Sequence, residues 1–263
     1  MAPQPVAPIY AEIPQPRRRS SSPSISSIGP FNRMSDAFGP AVTLFTKNIW
    51  LITKLVLVIV TPFEVFKALS FNDIRGNWQL AVGTIALQIF CNVLIAPALI
   101  YAMMKVLQTG VAPGINESYR WGLSKLGKLS LCAVLVWILT LLGTLLLIIP
   151  GIILYLAFEI VYPIAVLEGR SVTEVLKRSY KLTEGHRWKI LGATFCMSCL
   201  INLASMPLTF AAALAPVFGV SFWGVQVVAA IIGDIFQQAS IVLSLVIYLS
   251  ILGTLESRPS VIE

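Results

Sequence analysis

Two sets of residues in this chain have the types and spacing to do chemistry. The first is a group of acids and amides inside long apolar runs. Glu159 stands roughly 12 Å from the Pro150-Gly151 turn at 1.5 Å of helix rise per residue. By the same count from Phe222, Asp234 lies roughly 18 Å deep, and it shares a helix face with Gln237 and Gln238 at i+3 and i+4. Asn92 and Asn202 are expected at comparable depth. Ionisable groups inside a membrane are costly and mark ion, proton or headgroup handling. The alternative is a set of neutral groups hydrogen-bonding between helices. No basic residue is expected in that layer.

The second set is basic. Over 171–184, Val172, Val175, Leu176 and Ser179 recur at i, i+3, i+4 and i+7, while Lys177, Arg178 and Lys181 crowd another side. Arg120, Lys125 and Lys128 form a similar basic side on a shorter helix. That helix is expected to be capped by Asn116, with Tyr119, Leu123 and Leu126 on one face. Such helices lie in the headgroup region and attract anionic lipid at about 1 kcal/mol per basic residue. The same charges also serve simply to orient the chain.

Other chemistries find little support. Cys91, Cys132, Cys196 and Cys199 all fall in apolar runs, and the C-x-x-C spacing of the last two reads as packing of small side chains rather than a metal or redox pair. His186 is the single histidine, so a metal site lacks ligands, and none is expected. There is no G-x-S-x-G, P-loop or G-x-G-x-x-G motif. No cofactor and no enzymatic activity are expected.

The elements that position these residues follow from composition. With 57% hydrophobic and 12% charged side chains, the chain departs from soluble domains, where about 25% is charged. Its +7 net charge sits beside the ends of apolar runs, as topology signals do, and no nucleic-acid motif accompanies it. Apolar runs at 49–66, 78–104, 129–149, 151–167, 189–215 and 222–252 approach or exceed the roughly 20 residues of a membrane span. Lys54 requires the first run to snorkel a charge or lie in the interface; crossing is the reading adopted. Pro97 is a candidate kink. Pro150-Gly151 is expected to turn the third run into the fourth, which leaves the membrane at 163–168. Ser171 and Glu174 form a capping box, and Gly185 occupies a left-handed C-terminal cap.

Lys and Arg concentrate in 105–128 and 168–189 and are absent from the turns at 150–151 and 216–221. Six spans with both termini in the cytoplasm satisfy this distribution. The fold expected is all-α, a polytopic helical bundle with six transmembrane helices and two short cytoplasmic amphipathic helices. Residues 1–38, rich in Pro and Ser and carrying Arg17-Arg18-Arg19, read as a disordered tail; 39–255 is the membrane domain and 256–263 a short cytoplasmic tail. The segments 117–128 and 174–189 both precede a span, suggesting a duplicated unit of helix, span, turn, span. A second match, Glu64 to Trp78 against Glu174 to Trp188, would need both on one side and is read as coincidence. Ala211-Ala212-Ala213 would allow helix association, so a protein partner or a homo-oligomer fits as well as lipid.

One stretch has a familiar pattern: Ile148-Ile149-Pro150-Gly151-Ile152, Pro163 ahead of Val166-Leu167-Glu168-Gly169, then Arg178-Ser179, Leu182-Thr183 and Trp188. Over 105–200 it resembles a bacterial family of six-span inner-membrane proteins. That family includes the membrane domain attached to some glycerophosphodiester phosphodiesterases. The resemblance implies a multi-pass inner-membrane protein without chemistry of its own, since the phosphodiesterase activity belongs to a separate soluble barrel. Two functions remain open: a non-catalytic module organising anionic lipid or a partner through its basic cytoplasmic surface, or a small transporter or channel using Glu159 and Asp234.

Overall fold

The computed structural model describes residues 28–70, 77–218 and 222–256. Ten α-helices follow one another among them. They are α1 (Ser35–Lys47), α2 (Ile49–Leu69), α3 (Trp78–Thr109), α4 (Ile115–Leu123), α5 (Leu126–Leu146), α6 (Ile148–Ala157), α7 (Val161–Leu167), α8 (Val172–Thr183), α9 (Arg187–Leu214) and α10 (Phe222–Glu256), with a 3-10 turn at Ala215–Phe218. No strand occurs among the described residues. Six segments are long and apolar enough to cross a membrane: α2, α3, α5, α6 with α7, α9 and α10. The protein is an all-α, multi-pass membrane bundle.

Helix α10 is its axis, packed by α9, α2, α1, α3 and α7. The tightest core lies at the end where the basic segments gather. There Ile100 and Met103 of α3, Ile164 and Val166 of α7, and Val246 and Ile247 of α10 are all fully buried. Helix α2 presents Leu51, Ile52, Leu55, Val56, Val60 and Phe63 inward, the helical spacing of a core-facing stripe. Lys54 stays exposed, so α2 packs as a regular span.

The tail ends earlier than residue 38. Phe31 is fully buried, its N–H donates to Thr254 Oγ1 at 2.8 Å, and α1 starts at Ser35. Asp36 Oδ2 accepts from the amides of Asn32 and Arg33 at 3.0 and 2.6 Å. Ala37, Ala41, Leu44 and Phe45 then bury one face of α1. Proline and serine content up to Pro30 hides this boundary, because the apolar periodicity begins only after it. The arginines at 17–19 and residues 257–263 lie outside the described residues.

The α5–α6 hairpin turns at Leu147, whose backbone is extended (φ −163°, ψ 145°), and not at Pro150-Gly151 as expected. Pro150 sits in the first turn of α6, where its missing N–H costs nothing. Gly151 is there for contact. A Cβ on it would lie 2.7 Å from Thr144 Cα, and Gly143 faces it, 3.2 Å from its Cα by the same construction. Backbones this close need glycine.

Three stretches share one element order: α1–α2–α3, α4–α5–α6/α7 and α8–α9–α10, each a short helix followed by two spans. The suspected duplication thus extends to a third copy in element order. Glu64 belongs to the end of a span and Glu174 to the first turn of α8, so their sequence match pairs unlike elements.

Candidate functional site: a broken span and two charge clusters

The fourth span is discontinuous. Helix α6 stops at Ala157 and α7 starts at Val161. Pro163 explains the break, since it lacks the N–H that would bond the Glu159 carbonyl and its ring crowds that oxygen. Pro163 therefore interrupts the span rather than marking its exit. The amide of Val161 turns to the Phe158 carbonyl at 3.1 Å, which leaves the Ala157 carbonyl without a helical donor. In a membrane such groups must find protein partners. Ser179 Oγ donates to the Ala157 carbonyl at 2.7 Å, with Thr183 Oγ1 at 3.4 Å, and Ser244 Oγ donates to the Glu159 carbonyl at 2.6 Å. Helices α8 and α10 together repair the break. The Glu159 side chain is half-buried, four residues beyond the exposed Tyr155.

Helix α8 forms as the sequence indicates. The Ser171–Glu174 capping box is present, and Gly185 is left-handed at φ 79°. The box holds the Glu174 carboxyl below the ordinary carboxylate range, the Ser171 hydroxyl first among its causes. Ser179, Thr183, Val175 and Leu182 are buried, so α8 is bound to the bundle along its length.

The basic residues divide. Lys177 and Lys181 are exposed on α8, Arg120 on α4 and Lys128 on α5. Lys128 Nζ reaches the Gly169 carbonyl at 3.5 Å, bringing both basic segments to one end of the bundle. Lys125 lies over the Trp121 ring, 5.8 Å from its centroid. Arg178 belongs elsewhere. Its Nε bonds Glu168 at 2.6–2.7 Å, alongside Arg170 Nε at 2.6 Å and Tyr248 Oη at 2.9 Å. Glu168 is thus a node tying the α7–α8 loop to α10, and Arg178 is one of its ties rather than part of an open basic face.

Helix α4 differs from expectation. Gly114 is its N-cap rather than Asn116, and Leu123 is exposed. Ser118 and Gly122 are its buried residues. A Cβ on Gly122 would stand 3.0 Å from Ala98 N, so α4 lies on α3 through a small-residue face. The Tyr119 hydroxyl donates to the Leu55 carbonyl, and burial pushes its phenol pKa up. Glu117 accepts from Lys105, and from Tyr101 at 2.6 Å. These donors, Lys105 first, hold its carboxyl low.

The expected midplane layer does not exist as one layer. Ser244, bonded at Glu159, is ten residues beyond Asp234, or roughly 15 Å along α10, so Glu159 and Asp234 stand apart. Asn202 is exposed and bonds its own helix at Ser198, and Gln237 is exposed. Asn92 bonds the Gln88 carbonyl of its own helix. Around Asp234 a different cluster forms. Lys67 makes an ion pair with Glu64 and donates to Gln88 Oε1 at 3.3 Å; Gln88 Nε2 donates to Asp234 Oδ1 at 3.5 Å. A basic residue therefore does share the layer of Asp234, contrary to expectation. Glu64 and Lys67 are an i, i+3 pair inside the apolar α2, and that spacing was the available signal.

Among the described residues, no group of three or more His, Cys, Asp and Glu side chains converges as a metal would require. Cys91, Cys132, Cys196 and Cys199 are unbridged. Searches against family models, curated proteins and solved structures returned no match for this chain.

Proposed function

We propose that this protein is a non-catalytic membrane module that gathers anionic phospholipid at a basic cytoplasmic surface made by Arg120, Lys128, Lys177 and Lys181. The observation carrying this reading is how the acids of that end are disposed. Glu117 is taken by Lys105 and Tyr101, Glu168 by Arg170, Arg178 and Tyr248, and Glu174 by the Ser171 cap, while Glu184 stays exposed at the end of α8. Four basic side chains remain exposed around the Lys128–Gly169 contact. Each cation near an anionic surface contributes about 1 kcal/mol. The Lys and Arg distribution favours an inner (plasma) membrane orientation with both termini cytoplasmic. The motif residues from Ile148 to Trp188 support kinship with the six-span family that includes phosphodiesterase-linked membrane domains. A protein partner or second copy at the same surface is the competing occupant.

Native mass spectrometry of the detergent-purified protein tests this, beside a Lys177→Gln/Lys181→Gln variant. A co-purified anionic phospholipid that the variant loses supports the reading. Equal retention by both forms, or a protein adduct in place of lipid, contradicts it.

A further inference from the structure

Among the described residues, the cluster around Asp234 is short of one positive charge. Lys67 pairs with Glu64 and donates to Gln88, and Gln88 in turn donates to Asp234, so one cation and two carboxylates belong to one chain of contacts. That ammonium is committed to Glu64 and to Gln88 Oε1. The Asp234 carboxylate receives, among the described residues, only the Gln88 amide, at 3.5 Å. Among the described residues, the other elements bring no compensating charge. Helix α3 contributes the buried thiol of Cys91. Helix α9 has no Asp, Glu, Lys, Arg or His beyond Lys189, only Cys196 and Cys199. Helix α7 carries the phenol of Tyr162, and α1 carries Asp36 and Lys47 near its two ends.

A second observation points the same way. Gln238 is 1% exposed, and its Nε2 donates to the Asp234 backbone carbonyl at 3.2 Å, one helical turn back on α10. Its Oε1 is buried with no donor. An acceptor oxygen of this kind is expensive to bury unpaired. On the helix face that Asp234 also occupies, four residues away, it is the second oxygen a small cation would take.

We propose that Asp234 and Gln238, backed by Gln88, form an intramembrane site for one exchangeable monovalent cation, a proton or an alkali ion. Its occupancy is set by the charge count of Glu64, Lys67 and Asp234. Lys67 satisfies one acid, and the cation satisfies the other. The site does not depend on the lipid surface at the opposite end of α10.

Dicyclohexylcarbodiimide, an apolar reagent that couples to protonated carboxyls, tests this on the full-length protein in detergent, with peptide mass spectrometry as the readout. The wild type should label at Asp234 several-fold over Glu64. Lys67→Gln should label at both acids, because two carboxylates then need cations. Glu64→Gln should lose most Asp234 labelling, because Lys67 is released to Asp234. Suppression by sodium or potassium at fixed pH identifies an alkali ion; suppression only by raising pH identifies a proton. Absence of Asp234 labelling in the wild type at every pH and salt overturns the site. So does undiminished Asp234 labelling in Glu64→Gln, and where that variant does not fold, single-site labelling in Lys67→Gln overturns it equally.

Discussion

Ser244 donates its hydroxyl to the Glu159 carbonyl at 2.6 Å, an acceptor left over because Pro163, four residues on, has no N–H. One proline in the fourth span is thus answered by one serine in the sixth. Ser244→Ala should destabilise the bundle by about 1–2 kcal/mol, in the range for membrane hydrogen bonds and buried unpaired acceptors. In a Pro163→Ala background an amide is available again, and the same substitution should cost less. Thermal unfolding of the four proteins in one detergent gives the coupling directly.

Ser179→Ala should cost less than Ser244→Ala, because Thr183 Oγ1 already stands 3.4 Å from the same Ala157 carbonyl. The Ser179→Ala/Thr183→Val double variant removes both donors and should lose more than the sum of the singles. Hydrogen exchange in α8 is the confirming readout, since α8 is held to the break by these two side chains.

Gly151→Ala should open the α5–α6 hairpin, because its Cβ would meet Thr144 Cα at 2.7 Å, a backbone atom that cannot swing aside. Overpacking of this kind costs about 1–3 kcal/mol. Gly127→Ala, with nothing within 4 Å of the added carbon, is the matched control and should leave the melting temperature unchanged.

How far these features were legible depended on whether they were local. The capping box at Ser171–Glu174 and the left-handed Gly185 follow from residues three or four apart, and both occur as read. Six spans follow from run length alone. Pro163 was visible but ambiguous, since a proline near a span end reads as an exit until the carbonyls it frees are seen to have partners on α8 and α10. Arg178 looked like its neighbours Lys177 and Lys181. Its withdrawal to Glu168 is a tertiary contact that helical periodicity does not encode. Glu64 lay inside the first apolar run, yet its meaning came only with Gln88 and Asp234, on two other helices. Asn202 failed for the opposite reason, because depth along a helix says nothing about which way the side chain faces.

The Glu117 contact makes α4 sensitive to acid. Lys105 and Tyr101 hold its carboxyl low, so its contribution is complete above the unfolded carboxylate value of about 4.3. That contribution is lost as pH falls through the lower folded-state value. Exchange protection of α4 should therefore drop in that acid window and not near neutrality. In Glu117→Gln the acid step should disappear.

Glu168→Gln should loosen the α7–α8 loop by about 1–3 kcal/mol, since it weakens ties to Arg170, Arg178 and Tyr248 at a largely buried carboxylate. Arg178→Gln should lower the melting temperature while leaving lipid retention intact. Lys177→Gln/Lys181→Gln should do the reverse. Melting curves and native mass spectra of the same preparations separate the two roles.

The most direct test of the account is sidedness, because a single basic surface on the cytoplasmic face requires both basic segments to lie there. Single cysteines are introduced as Lys128→Cys, Lys177→Cys and Leu147→Cys after the four native cysteines are replaced by alanine. They are then labelled with a membrane-impermeant maleimide in right-side-out and inverted vesicles. The account predicts that Lys128→Cys and Lys177→Cys react only in inverted vesicles and Leu147→Cys only in right-side-out ones. Labelling of Lys128→Cys and Lys177→Cys from opposite sides would contradict it.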